Sequence, residues 1–263
     1  MNAKMWTVFG IVGLVLGATS SLQAQETVNV VVKIESLVPE GGVYFSPVWV
    51  GFQDGSYDSF DLGSLASLAI ERIAEDGNNV YLTEGLMEAT GGTGVTGVIT
   101  SPGGFEPLPL FDPNETSEAE FTLEPKYHRF FSYAAMVVPS NDAFIGNHNP
   151  WAVELFDVAG NFTGKKIITV LGSQVWDAGT ELNTEMDAAF INQTAPNTGV
   201  TTVAPILPHP GYLGSYGNPG GAGLILGNLN AAGKVSDVAG ADFTLPGAVV
   251  ARITVDLAPD DGE

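Results

Sequence analysis

Apolar and polar side chains alternate most cleanly at residues 27–35, where Val28, Val30, Val32 and Ile34 share one face. That two-residue period predicts a half-buried strand. Residues 43–52 form a second apolar stretch, and Pro47 inside it predicts an edge, a bulge or an interruption. At 64–75 the period changes: Leu65, Leu68, Ala69 and Ile73 recur at helical spacing, Ser64 or Asp61 can cap the start, and Gly77 ends it. This is the one convincing helix. Strand patterns return at 119–123, 129–138, 151–156, 166–171 and 248–257, and Asp157-Val158-Ala159-Gly160-Asn161 reads as a hairpin turn. Residues 90–104, rich in Gly and Thr, predict a loop or a weak hairpin around 95–99. From 193 to 247 the chain is dense in Gly, Pro and Asn, with one apolar patch at 224–229, and predicts ordered loops wrapping the domain. Seven or eight short strands between turn signals predict an all-β fold, an antiparallel β-sandwich with one short helix and long Gly/Pro-rich loops.

The first residues follow a different pattern. Lys4 is the only charge among residues 1–24; an apolar run from Trp6 to about Ala18 follows, then a polar stretch ending in the small Ala24. A charged start, a core of about 7–15 apolar residues and a small cleavage residue predict a secretory signal peptide. The run is shorter than the roughly 20 residues of a membrane span. The expected product is a single domain at 25–263, with its core at about 28–257, secreted or periplasmic and without membrane insertion after cleavage. No break in composition divides it, and 239 residues suffice for one large core.

Composition narrows the chemistry. The chain has no Cys, which removes disulfides, thiolate zinc sites, iron–sulfur clusters and thiol nucleophiles. It carries 30 acidic and 9 basic residues, a net charge of −21 that becomes −22 when Lys4 leaves with the leader. Such a surface repels nucleic acid and anionic lipid and attracts cations. With 33 Gly and 16 Pro but only 15% charged residues, the chain is turn-rich and globular rather than a disordered acidic tail.

Two strings end apolar stretches and open into turns bearing carboxylates: Val138-Pro139-Ser140-Asn141-Asp142 and Trp176-Asp177-Ala178-Gly179-Thr180-Glu181. Asp142 sits where a strand emerges, and Gly179 permits a tight turn carrying Asp177 and Glu181 to one side. Calcium takes six to eight oxygen ligands, so these three residues could share one ion with carbonyls and water. Spacing alone favours backbone caps or solvated side chains over a metal role. His148, six residues past Asp142, is expected to hydrogen-bond within its loop, since a hard cation prefers oxygen. His209, between two prolines, reads as a rigid surface turn. Trp49, Trp151 and Trp176 are expected in the core. Gly-x-Ser-x-Gly is absent, and no carboxylate pair stands out for glycoside hydrolysis.

The two strings resemble the signature of the spondin N-terminal (F-spondin) domain, with Asp177-Ala178-Gly179-Thr180-Glu181 matching its second element. Tyr44-Phe45-Ser46-Pro47 and residues 68–77 are similar to bacterial, exported members, and the likeness spans roughly 28–190. The resemblance implies a C2-like, calcium-binding β-sandwich, with metal ligands at Asp142, Asp177 and Glu181. The chain departs from the pattern at Ala143, where animal members often have Trp, and at Glu181, where they have Asp. It also lacks their cysteines, and the segment after 193 has no evident counterpart. The implied function is non-enzymatic: a calcium-dependent adhesion or matrix-type module for an extracellular protein or glycan. The alternatives are an exported hydrolase acting on polysaccharide and a calcium-dependent surface or biofilm component.

Overall fold

A computed structural model of the protein describes residues 27–103, 109–196 and 198–259. The segment expected to be a leader, the cleavage point expected near Ala24 and the last acidic residues lie outside the described residues. Among the described residues eleven strands form two antiparallel sheets. The smaller is ordered β5-β1-β11-β8, from β1 (Val28–Ser36), β5 (Thr116–Leu123), β8 (Lys166–Leu171) and β11 (Val249–Leu257). The larger is ordered β10-β9-β7-β6-β3-β4, with β2 (Tyr44–Phe45) pairing onto β6. Its members are β3 (Val48–Gln53), β4 (Val95–Ile99), β6 (Phe130–Val138), β7 (Ala143–Gly146), β9 (Val175–Asp177) and β10 (Leu207–Pro208). Pro47 splits the 43–52 stretch into β2 and β3. It has no N–H to give a continuous ladder.

The alternating strands bury one face and the continuous apolar strand buries two. In β1, Val30, Val32 and Ile34 are buried and pack with Ile253 and Val255 of β11 against Val50, Phe52, Phe131 and Val137 of the larger sheet. All nine residues of β6 are buried, because helices cover the sheet's other face. There Trp49, Ala134, Phe144 and Trp176 meet Ile70, Ile73, Leu82 and Leu86. The molecule is therefore a two-sheet sandwich with a helical layer on one side.

The helical layer differs from expectation. Helix α1 spans Leu68–Asp76 rather than starting at Ser64: the Ser67 hydroxyl accepts from the Ile70 N–H, and Gly77 closes the helix at φ 65°. A second helix, α2 (Val80–Ala89), follows at once, and α3 (Val238–Ala241) is one turn inside the long loop segment. Residues 151–156 are not a strand. The Asn149 side chain accepts from the Trp151 N–H to build a turn, leaving Trp151 61% exposed while Trp49 and Trp176 are buried. Only the isolated bridges at Glu154 and Phe156 remain, the latter closing the expected 157–161 turn on Phe162.

Candidate metal centre

The turn from β6 to β7 is built by the last three residues of the first string. Ser140 Oγ donates to the Val137 carbonyl (2.5 Å) and accepts from the Ala143 N–H (3.1 Å). Asn141 accepts from the Glu185 N–H (3.0 Å) and donates to the Met186 carbonyl (3.0 Å). These bonds deliver Asp142, 0% exposed, to the end of the larger sheet. Strand pairing supplies its neighbour: Ala143 lies opposite Asp177, and the Ala178 N–H donates to the Asp142 carbonyl (3.2 Å). Residues 35 apart in sequence are thus joined by a ladder of three residue pairs.

The two oxygens of Asp142 have different surroundings. Oδ2 accepts from the N–H groups of Thr180 (2.8 Å) and Glu181 (3.0 Å) and from the Thr180 hydroxyl (3.3 Å). Oδ1 is buried without a hydrogen-bond partner. Burial first, and the charge of Asp177 second, push the Asp142 carboxyl up to about 7 against those donors. On Asp177, Oδ1 accepts from the Gly179 N–H (2.7 Å) and Oδ2 from Asn183 Nδ2 (2.5 Å), and burial raises its pKa as well.

Glu181 reaches the pair through its backbone. Its carboxylate turns the other way, accepting from Asn141 Nδ2 (3.3 Å) and the Gly199 N–H (3.1 Å), and burial raises its pKa. The structure therefore brings Asp142 and Asp177 together, while the Glu181 carboxylate is engaged by Asn141 and Gly199. Among the described residues no group of three or more His, Cys, Asp or Glu side chains is placed to hold one metal ion. Gly179 is indispensable to the turn: it has φ 70°, and a Cβ there would stand 2.4 Å from the Ala204 carbonyl oxygen.

Three residues near the pair were not anticipated in their roles. Glu75, at the end of α1, is buried, shares a hydrogen bond with the Thr180 side chain, and is pushed up to about 7 chiefly by burial. Its place in the helical 68–77 stretch was legible, but its approach to Thr180 was not. Asn183 tethers Asp177, as above. His209 is buried rather than on a surface turn, and burial lowers it to about 4. His148 lies edge-on to Phe60 and Trp176, with ring centroids 6.3 and 5.9 Å away.

The donor set suits a hard cation. It is all oxygen, and one buried oxygen lacks a partner beside a second, half-buried carboxylate. The sequence model of the Spondin_N family matches residues 37–210, which reaches past the likeness seen in the motifs and takes in His209. No curated protein matches the chain.

Proposed function

The chain belongs to the Spondin_N family, and from that premise we propose that it is an extracellular, non-catalytic binding module holding calcium between Asp142 and Asp177. The observation that carries this reading is Asp142 Oδ1, buried with no donor next to a second carboxylate. Leaving such an oxygen unpartnered costs about 1–3 kcal/mol or more. A divalent cation would take the vacant lone pairs and cancel the paired charge, fixing the loops at this end of the sandwich. Glu181, the third ligand implied by the family motif, would join with its carboxylate only on leaving Asn141 and Gly199.

The partner would dock beside the ion. The 181–201 and 65–205 bridges set the exposed Leu65, Leu182, Val200, Val203 and Leu207 along the same loops. An apolar rim on so acidic a chain favours a protein partner over a glycan. The 1–24 leader is proposed to direct export, with cleavage near Ala24. Among the described residues no helix is long and apolar enough to cross a membrane.

Calorimetric titration of the mature chain tests the metal. Extracellular calcium modules bind at about 0.1–1 mM, and saturation at about 10–100 times that constant adds roughly 1.5–3 kcal/mol of stability. Asp142→Ala and Asp177→Ala should each abolish the heat, and Glu181→Gln should weaken it less. No heat and no melting shift with the wild type at millimolar calcium would refute the reading.

A further inference from the structure

Asn141 and Asn183, which flank the carboxylate pair in the chain and in its hydrogen bonds, also line a small cavity of about 10 Å³ with Ser140, Glu185, His209 and Tyr212. It has room for about one water. On one side of it, a chain of hydrogen bonds has its directions fixed by chemistry alone. The Gly211 N–H can only donate, and it points at His209 Nδ1 (3.0 Å). The imidazole is buried and neutral, so its proton must sit on Nε2. Nε2–H then donates to Asn183 Oδ1 (3.1 Å). That leaves Asn183 Nδ2 directed at Asp177 Oδ2 (2.5 Å). With its oxygen claimed by His209, the amide cannot flip without breaking both bonds.

We infer that Asn183, locked by His209, is a positioning residue that holds the Asp177 carboxylate in the rotamer needed to share a cation with Asp142. This rests on the calcium reading above. The Gly179 N–H and the Asn183 amide each occupy one lone pair of Asp177, leaving the others to face an ion. The relay also explains why a histidine is buried between two prolines. His209 hangs from the Val175 carbonyl by its own N–H (2.8 Å), next to the strand that carries Asp177, and its ring packs against Phe243, with centroids 5.5 Å apart. The 207–211 turn therefore reports to the metal pair through one amide. Outer partners of this kind are typically worth about 10–100-fold in metal affinity.

The test compares the wild type, Asn183→Ala and His209→Phe. The second variant keeps a ring in the aromatic pocket while freeing the amide to turn. Calcium affinity is read by calorimetry. Terbium, bound in place of calcium, reports the number of inner-sphere waters through its luminescence lifetimes in H2O and D2O. Melting in chelator reports any general loss of fold. The expected result for Asn183→Ala is on the order of 10-fold weaker calcium binding and added inner-sphere water, beyond any change in metal-free melting. His209→Phe should move both readouts in the same direction by less, and it carries the test if Asn183→Ala does not fold. Unchanged affinity and hydration in the folded variants would overturn the positioning role while leaving the calcium site standing. No binding by the wild type would overturn both.

Discussion

The carboxyl groups of Asp142 and Glu75 hold protons up to about 7 because burial disfavours their charge, whereas in the unfolded chain both ionise near about 4. Between those values the folded state binds more protons. This contribution is fully present below about pH 4 and is lost as the pH rises through about 7. His209 acts in the opposite sense. It stays neutral in the fold down to about 4, while its unfolded form titrates near about 6.5, so its contribution is lost as pH falls between those values. Two gains exceed one loss. The protein in chelator is therefore expected to be more stable at about pH 6 than at about pH 8, by about 2 kcal/mol. Calorimetric melts at the two pH values check this. Asp142→Asn, which cannot ionise, should flatten about half of the carboxylate gain and raise stability at the higher pH.

Among the elements, those with their own periodicity were legible and those made by their neighbours were not. β1 and β11 bury alternate residues and β6 buries all, as their sequences suggest. β7 and β9 have four and three residues, too few to carry a period, and form because β6 and the Ala143–Asp177 register hold them. α2 was missed because Gly85 interrupts a sparse apolar stripe of which only Leu82 and Leu86 are buried. The 193–247 segment, predicted as ordered loop, also holds the short β10 and α3, and one of the side chains that fasten it lies outside it. Buried Glu185 accepts from the N–H groups of Leu213 (2.6 Å), Leu224 (2.5 Å) and Ile225 (3.0 Å). Glu185→Gln places an amide donor against those donors. It should cost about 2–4 kcal/mol and speed hydrogen exchange at 213–225 more than in β1, as peptide-level exchange would register. Uniform exchange rates would rule out Glu185 as the fastening.

Across the whole molecule, charge is unevenly shared between the two sheets. Lys33 and Arg252, with Lys165 and Lys166 beside them, lie on the four-stranded sheet, paired in part with Glu35 and Asp256. At the carboxylate end of the larger sheet, Arg72 spans Glu71, Glu75 and Asp76. With a net charge of −21 over the full sequence, self-repulsion opposes the compact state and salt should relieve it. In chelator, raising sodium chloride from about 20 to about 500 mM should raise the melting temperature by a few degrees. An unchanged or falling midpoint would contradict this. Calcium at matched ionic strength should add its own increment, since it acts at one site rather than by screening.

Local rules within the sequence determined the sandwich class, the principal strands, the helix after residue 67 and the two carboxylate turns, because periodicity and turn chemistry operate over a few neighbouring residues. Only the tertiary structure decided which acids meet. Register sets Asp177 beside Asp142, while the Gly199 and Asn141 donors draw the Glu181 carboxylate away. Burial, likewise a property of the folded whole, places His209 in the interior and Trp151 at the surface. Side chains far apart in the chain acquire their chemistry from pairing and desolvation, and neither is encoded at any single position.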